Sequence, residues 1–326
     1  MKKQAWKYYC VLLILCLFVG LTTGCEGFET NDERKDDDKK SESPSSNDKT
    51  ESPDTKEPTQ KANNSTKAPT KPSYTIKNET IVDNDMCIFR IVEASEDSFW
   101  GFKLKVYCEN KTSDKTMMFS IRDVSVNGYM ADPYFAEEVA AGKKSNDDVS
   151  FFDLEDIGVT TPEEITFTLS VYDSDDWSAD DFVTSTYTIY PTGLSKDSVT
   201  VPNRRTTATE QTMVDNDKAS FIILEAKVDD FWGYTLYCYL ENKTDKTLMF
   251  SWSDVSVNGF MVDPYWADEI SPGKRAYAKI DFSDTDFEKN SITTVEDIEA
   301  VLRIYDSSDW DSKDVFKDKI IYKPKQ

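Results

Sequence analysis

The six residues DVSVNG at positions 123–128 are the stretch that decides the fold, and the same six letters recur at positions 254–259. In the first copy Val124 and Val126 alternate with polar residues, which is the period-two pattern of a half-buried β-strand. The Asn-Gly pair that ends each copy favours the positive φ angles of a type I′ turn. Each copy therefore predicts a strand that runs into a tight β-hairpin.

The sequence on both sides of the two copies is repeated as well, in the same order and about 132 residues apart. FWGFKLKVYCENKT at 99–112 returns as FWGYTLYCYLENKT at 231–244, and YDSDDW at 172–177 returns as YDSSDW. The hairpin phrases themselves continue as DVSVNGYMADPYF and DVSVNGFMVDPYW. The chain therefore contains a tandem duplication, with a first module at 74–191, a linker at 192–212 and a second module at 213–326.

Both modules are predicted to consist of strands. Large apolar residues alternate with polar ones in 102–108, as they do in the matching stretch 234–240, and a second alternating run comes near the end of each module. The stretch Thr-Pro-Glu-Glu at 161–164 indicates one capped helical turn with proline at its first position. Short strands, one helical turn and no long helix predict an all-β sandwich in each module.

The order of these segments resembles the immunoglobulin-like modules of bacterial lipoproteins of uncharacterised function, sometimes called telokin-like. The shared features are a strand followed by Glu-Asn-Lys-Thr, an Asp-Lys-Thr start of the next strand, a Val-Asn-Gly hairpin and a Gly-Lys turn, and they cover residues 74–326. The resemblance implies two tandem immunoglobulin-like β-sandwich domains. It implies no activity, because one fold hosts many functions, and the Cys…Trp…Cys signature of true immunoglobulin domains is missing from this sequence.

Residues 1–24 are predicted to be a secretion signal. Three lysines precede an apolar run at 10–21, which is short for a membrane-spanning helix. The following Leu-Thr-Thr-Gly-Cys resembles the lipobox of a bacterial lipoprotein signal peptide, with Thr22 at the position where leucine is preferred. The resemblance implies cleavage before Cys25 and lipid attachment to its sulfur, which holds a protein on the extracytoplasmic face of the cell membrane. The alternative is an ordinary signal peptide with an incidental cysteine.

Residues 25–73 comprise that cysteine and a tether. After Phe28 the segment is dominated by Ser, Thr, Pro, Lys, Asp and Glu and has no aromatic or large aliphatic residue. Such a segment buries too little apolar surface to offset the entropy of ordering, so we predict a disordered linker. This linker would lift the two modules away from the membrane.

Charge and composition exclude several classes of function. The 326 residues include 38 Lys and Arg against 61 Asp and Glu, a net charge of −23. Such a surface repels phosphate backbones, so no nucleic acid partner is expected. The sequence has no histidine, which excludes Ser-His-Asp and Cys-His nucleophiles and zinc sites with imidazole ligands. Phosphate-binding loops and nucleophile elbows are also missing, so we do not expect an enzyme.

Three cysteines lie in the modules. Cys108 and Cys238 occupy inward positions of alternating strands and are replaced by Leu240 and Val106 in the other copy. We therefore interpret them as small core residues. Cys87 has alanine at its matching position, and a Cys87–Cys108 disulfide is the alternative.

Two acidic loops, DSDDWSADD at 173–181 and DSSDWDSKD at 306–314, are the candidate metal site. Clustered carboxylates are the ligands that calcium prefers, although the spacing is not that of an EF-hand. A solvated loop is the simpler interpretation in so acidic a chain, so calcium is the alternative and otherwise no cofactor is expected. The candidate calcium ligands are Asp173, Asp175, Asp176, Asp306, Asp309 and Asp311.

Aromatic residues near the predicted turns are the candidate ligand-binding residues. Exposed aromatic planes beside carboxylates are suited to stacking on sugar rings or anchoring a protein partner. The simpler interpretation is that they cover the ends of the sandwich core. The candidates are Trp100, Tyr134, Trp177, Trp232, Tyr265, Trp266 and Trp310.

Together these features predict a membrane-anchored bacterial cell-surface lipoprotein that displays two immunoglobulin-like modules for binding a protein or a glycan. Its partners are then the membrane, through the lipid on Cys25, and a protein or glycan whose identity the sequence does not give. The first alternative is a passive structural spacer or scaffold of the cell envelope, in which the tryptophans of the modules are all buried. The second is a carboxylate-dependent glycan-acting enzyme, which requires two carboxyls about 5–10 Å apart in one cleft.

Overall fold

The computed structural model describes residues 72–97, 101–152, 154–176, 178–229, 233–309 and 311–325. The structural statements below concern those residues. The predicted signal peptide at 1–24, Cys25 and the tether as far as residue 71 lie outside the described residues, so they stay predictions.

Both modules are built from strands, which follow in the same order. The first module contains β1 (Lys77–Asp83), β2 (Cys87–Asp97), β3 (Gly101–Asn110), β4 (Met117–Val126), β5 (Tyr129–Met130), β6 (Ala136–Val139), β7 (Lys144–Phe151), β8 (Ile165–Asp173) and β9 (Val183–Ile189). The second contains β10 (Gln211–Asp215), β11 (Ala219–Asp229), β12 (Gly233–Asn242), β13 (Leu248–Val257), β14 (Phe260–Met261), β15 (Ala267–Ile270), β16 (Arg275–Phe282), β17 (Ile298–Asp306) and β18 (Phe316–Tyr322). Short 3₁₀ turns lie at Leu154–Ile157 and Lys196–Ser198, and an α-helix lies at Asp284–Lys289.

The strands of each module form two layers. In the first module one layer has the order β1-β2-β3-β7 and the other β5-β4-β8-β9, with β6 paired to β4. In the second module the layers are β10-β11-β12-β16 and β14-β13-β17-β18, with β15 paired to β13. Within each module the paired strands are antiparallel, and the parallel pairing of β16 with β5 joins one layer of each module into a nine-stranded sheet. The prediction of an all-β sandwich fold is confirmed.

The core of each module lies between its two layers, because the predicted alternation places large apolar side chains inside. In the first module Phe89 of β2 packs against Phe119 of β4, with ring centroids 6.4 Å apart, and against Phe167 of β8 at 6.5 Å. In the second module Trp252 of β13 packs against Phe282 of β16 at 5.9 Å. Each of these contacts joins one layer to the other.

The hairpins predicted from DVSVNG are confirmed in both modules. The φ angles are 47° and 86° at Asn127 and Gly128, and 51° and 81° at Asn258 and Gly259. Two successive positive φ angles are the requirement of a type I′ turn, which Asn-Gly meets at little steric cost. The turn connects β4 to β5 in the first module and β13 to β14 in the second.

The helical turn predicted at 161–164 is wrong, because the hairpin asparagine holds this stretch extended. The side chain of Asn127 donates to the carbonyl oxygen of Thr161 at 2.9 Å and accepts from the amides of Glu163 and Glu164 at 2.8 and 3.0 Å. An asparagine that satisfies these backbone groups removes the need for helical hydrogen bonds there. The stretch therefore leads directly into β8.

The three described cysteines are free thiols in the core. Cys87, Cys108 and Cys238 are buried and unpaired, so their interpretation as core residues is confirmed and the Cys87–Cys108 disulfide is wrong. Burial raises the pKa of the Cys87 thiol to about 11 and that of Cys238 further. A thiol with a raised pKa has little thiolate at neutral pH and is a poor nucleophile.

Candidate functional site

The acidic loop of the first module is held by an ion pair. Asp173 is buried, and its Oδ2 lies 2.6 Å from the Nζ of Lys115. The hydrogen bond from Lys115 holds the pKa of Asp173 below its usual value. A lysine ammonium therefore occupies the place beside this carboxylate that a metal cation needs.

The other loop carboxylates serve as local hydrogen-bond acceptors. Asp176 accepts from the hydroxyl of Ser178, and Asp306 accepts from the hydroxyl of Ser308, each at 2.6 Å. Asp175, Asp309 and Asp311 are exposed. No group of three or more acidic, cysteine or histidine side chains is placed to hold a metal within the described parts of the chain. The calcium alternative for these loops therefore stays a prediction.

The candidate aromatic residues divide into exposed and buried ones. Tyr134 is 74% exposed and Tyr265 is 94% exposed, at matching positions after an Asp-Pro pair. The prediction that Trp266 offers an exposed surface is wrong, because its indole is only 7% exposed. It packs against Phe221 at 5.4 Å and Trp252 at 5.6 Å. Trp100, Trp177, Trp232 and Trp310 lie outside the described residues.

The hairpin of the first module docks on the second module. Tyr129, the first residue after the Asn-Gly turn, is 0% exposed and clusters with Ile222, Leu224 and Tyr239 on the outer face of β11 and β12. Its ring stacks on Tyr277 of β16, with centroids 5.5 Å apart and an angle of 11° between the planes. Burial raises the pKa of Tyr129 to about 12. We call this contact the internal joint.

Polar contacts surround the internal joint. The amide of Arg275 donates to the carbonyl oxygen of Gly128 at 3.0 Å, next to the parallel pairing of Arg275 with Tyr129. The Nζ of Lys274 lies 3.3 Å from the Oε1 of Glu164, and both side chains are largely buried. The backbone bond and the ion pair fix the hairpin on the sheet face in one orientation.

Residues of the linker also contact the two tyrosines of the internal joint. The guanidinium of Arg205 lies 4.8 Å from the ring centroid of Tyr277, and the Arg205 amide donates to the Tyr277 hydroxyl at 2.7 Å. The hydroxyl of Tyr129 donates to the carbonyl oxygen of Pro202 at 3.2 Å. Cations over aromatic faces are favourable when they are partly desolvated, so the linker adds stability to the docked hairpin.

Among the described residues, the same hairpin of the second module has no such cover. Phe260 and Met261, which match Tyr129 and Met130, are 48% and 65% exposed, and Tyr265 lies beyond them in sequence. We call Phe260, Met261 and Tyr265 the distal tip. Beside it lies a cavity of about 380 Å³ with Met261 and Trp252 in its lining and three carboxylates, those of Asp254, Asp263 and Asp286.

A larger cleft of about 1030 Å³ lies between the modules. It is lined by apolar residues beside the joint and by charges of both signs, among them Asp268 and Lys279. Desolvation raises the pKa of Asp268, although the Trp266 Nε1 donates to it at 2.8 Å. The ring of Tyr237 lies between Lys227 and Lys279, at 5.0 and 5.7 Å. This mixed lining does not point to one class of ligand.

The sequence carries a signal for Phe260 and Met261, although neither is among the candidate ligand-binding residues. An apolar pair, Tyr-Met or Phe-Met, follows each Asn-Gly turn directly, at the end of a hairpin where polar residues are the norm. Tyr265, which is one of the predicted candidates, follows the same hairpin in the sequence. Phe260 and Met261 were not predicted.

Comparison with known proteins gives similarity to solved structures alone. No family model and no curated protein matches the chain. Among solved structures, the chain is similar to the CsuC-CsuE chaperone-tip adhesion subunit pre-assembly complex from archaic chaperone-usher Csu pili of Acinetobacter baumannii. The identity is 16% and the TM-score 0.20, over 67% of this chain and 90% of that chain. Within the described residues, no helix has the length and apolarity to cross a membrane.

Proposed function

We propose that this protein is a bacterial surface lipoprotein, anchored in the cell membrane through Cys25, whose second module binds a partner protein through the distal tip. The predicted signal sequence, the lipobox-like stretch at 21–25 and the polar tether support the anchoring and the extracytoplasmic location. The exposed apolar residues of the tip support the binding role.

One observation carries the proposal: the same hairpin is buried in one module and exposed in the other. Tyr129 of the first hairpin is fully buried against the neighbouring module. This position of the hairpin therefore docks its aromatic ring where an apolar face is available. Phe260 has the same position and an equally large apolar ring, yet it is half exposed. Burying such a side chain contributes about 1.5–3 kcal/mol, and aromatic anchors of this kind dominate binding at protein interfaces.

A protein partner fits the distal tip better than a glycan does. Glycan binding needs an aromatic plane together with polar side chains that bond the sugar hydroxyls. Tyr265 offers the plane, but the side chains of Phe260 and Met261 offer no hydrogen bond. In a passive spacer this apolar surface has no role, and an exposed apolar patch without a role only favours aggregation. The distal tip therefore supports the binding role more than the spacer role.

Site-specific photo-cross-linking in the producing cell tests the proposal. A photoreactive phenylalanine is placed at Tyr265 and, as a control, at Ile321, an exposed apolar residue of β18 in the same module. We expect a discrete protein adduct from position 265 that is lost in the Phe260→Asp background. We expect no such adduct from position 321. Failure to form any protein adduct at position 265 would contradict the proposal.

A further inference from the structure

The face that receives the hairpin in the internal joint has a counterpart on the first module. Val92 and Tyr107 match Leu224 and Tyr239, and both lie on the outer face of β2 and β3, where they are partly exposed. Each tyrosine lies under an arginine: Arg90 is 5.4 Å from the centroid of Tyr107, as Arg204 is 5.5 Å from that of Tyr239. The first module therefore carries an outer face that resembles the occupied one.

The polar contacts of the internal joint also have counterparts on free surfaces. Lys274 and Glu164 form an ion pair in the internal joint. In the duplicated sequence Lys274 corresponds to Lys143, which is exposed on the first module, and Glu164 corresponds to Asp297 of the second module. Asn258 accepts hydrogen bonds from the amides of Glu296 and Asp297, which positions Asp297 beside the hairpin. Asn127 holds Glu164 in the same way.

A second ion pair lies on the outer face in both modules. Arg275 lies 3.1 Å from Glu241 on the occupied face, and Lys144 lies 3.4 Å from Glu109 on the free one. Lys144 begins β7 as Arg275 begins β16. The edge strand that pairs with the hairpin therefore starts with a cation held by a glutamate in each module.

We infer that the distal tip of one copy docks on the outer face of the first module of a second copy, and so repeats the internal joint between chains. This inference rests on the proposed function and names the partner. Phe260 then covers Val92 and Tyr107, and Asp297 meets Lys143. The contact is heterologous, because tip and face are different surfaces, so it extends into open rows of molecules.

Charge favours this arrangement over a tip that meets another tip. The surroundings of the distal tip are acidic, with Asp254, Asp263 and Asp286 around the adjoining cavity. Two tips in contact bring these carboxylates together, whereas the first module offers the exposed Lys143. Like charges across an interface are costly and opposite charges fix its register.

The contact between chains is weaker than the internal joint. Arg90 stands where Ile222 lies on the occupied face, and Asn146 stands where Tyr277 lies. Both substitutions reduce the apolar surface that the tip covers. The association is therefore reversible and depends on concentration, and anchoring of many copies on one membrane raises that concentration.

Charge reversal tests the inference on the full chain in detergent, with sedimentation equilibrium in a density-matched buffer. The wild type is expected to associate as concentration rises, and Phe260→Asp is expected to abolish the association. Asp297→Lys alone and Lys143→Glu alone each place like charges in the contact and are expected to weaken it about tenfold or more. In an equimolar mixture of the two single variants, each contact between unlike variants has opposite charges again, so the mixture is expected to associate more tightly than either variant alone.

The pattern of results separates this inference from the broader proposal. Rescue by mixing supports tip-to-face docking between copies. Association that Phe260→Asp abolishes but mixing does not rescue shows a tip-to-tip contact and overturns the inference. A wild type that stays monomeric at every concentration also overturns it, whereas a cross-linked adduct with a different protein at position 265 still supports the proposed function. The melting temperature of each variant verifies that it is folded.

Discussion

Replacing Tyr129 by alanine is expected to open the internal joint, and replacing Phe260 by alanine provides a matched control. The two residues occupy the same position after the same Asn-Gly turn. They differ in surroundings, because Tyr129 is fully buried against the second module whereas Phe260 is half exposed. Any difference between the two variants therefore measures docking and not the hairpin itself.

The structure sets the expected magnitudes. Truncation of a fully buried aromatic side chain costs about 3–5 kcal/mol, and the stacked pair with Tyr277 accounts for about 0.5–1.5 kcal/mol of interaction beyond its buried area. Tyr129→Phe removes only the hydrogen bond to Pro202, which contributes about 1 kcal/mol. Phe260→Ala removes a partly exposed ring and is expected to cost less than about 1 kcal/mol.

Urea unfolding followed by tryptophan fluorescence measures these differences. For Tyr129→Ala we expect a lower unfolding midpoint, and we also expect the modules to unfold in separate transitions because the joint no longer couples them. For Phe260→Ala we expect a single transition close to the wild type. Equal destabilisation by the two alanine variants would refute the argument that docking of the first hairpin stabilises the protein.

Three further predictions concern other parts of the chain. Asn110→Ala is expected to cost about 2 kcal/mol or more in urea unfolding, because the buried Nδ2 of Asn110 donates to the carbonyl oxygens of Lys115 and Val139 at 2.7 and 2.8 Å and its loss leaves both without this partner. The pKa of Asp173 is lowered, so the stability from its pair with Lys115 is present above the unfolded-state pKa and is lost as the pH falls through the folded-state pKa. In Asp173→Asn the melting temperature is therefore expected to decrease less between neutral and acid pH than it does in the wild type. Cys25→Ser is expected to move the protein from the membrane fraction to the soluble fraction after cell lysis, and a variant that stays in the membrane fraction would contradict the lipid anchor.

Local sequence was sufficient to predict the hairpins and the layers of the core. The Asn-Gly turn depends only on the backbone angles of its own two residues. The alternation in β3 and β12 depends on the polarity of each side chain, which decides whether that side chain faces the core or the solvent. The cysteines followed the same rule, since leucine and valine replace them in the other copy. These predictions needed no knowledge of distant parts of the chain.

The failed predictions depended on contacts between distant residues. The segment at 161–164 has a good helical start, but Asn127, more than thirty residues earlier in the chain, holds it extended. Tyr265 and Trp266 are adjacent aromatic residues, and an extended chain turns one outward and the other inward. Which of the two faces the core depends on the space beside Phe221 and Trp252, which the local sequence does not specify.

The internal joint was beyond local prediction for the same reason. Tyr129 and Phe260 lie in nearly identical sequences, so their local structure is the same. The difference arises from Ile222 and Tyr277, which come about 90 and 150 residues after the first hairpin in the chain. A duplicated sequence predicts two equal hairpins, and only the folded chain shows that one of them has a partner.

Rebuilding the receiving face on the first module gives the strongest test of the surface proposed for association between chains. Arg90→Ile with Asn146→Tyr makes this face resemble the one that buries Tyr129, at the loss of the cation over Tyr107. Burial of the added side chains contributes about 1.5–3 kcal/mol each, so we expect self-association to tighten by at least about tenfold. Adding Phe260→Asp to the double variant is expected to abolish this gain. If the double variant associates no more tightly than the wild type, the distal tip does not dock on this face, because a larger apolar surface under Phe260 must strengthen the contact.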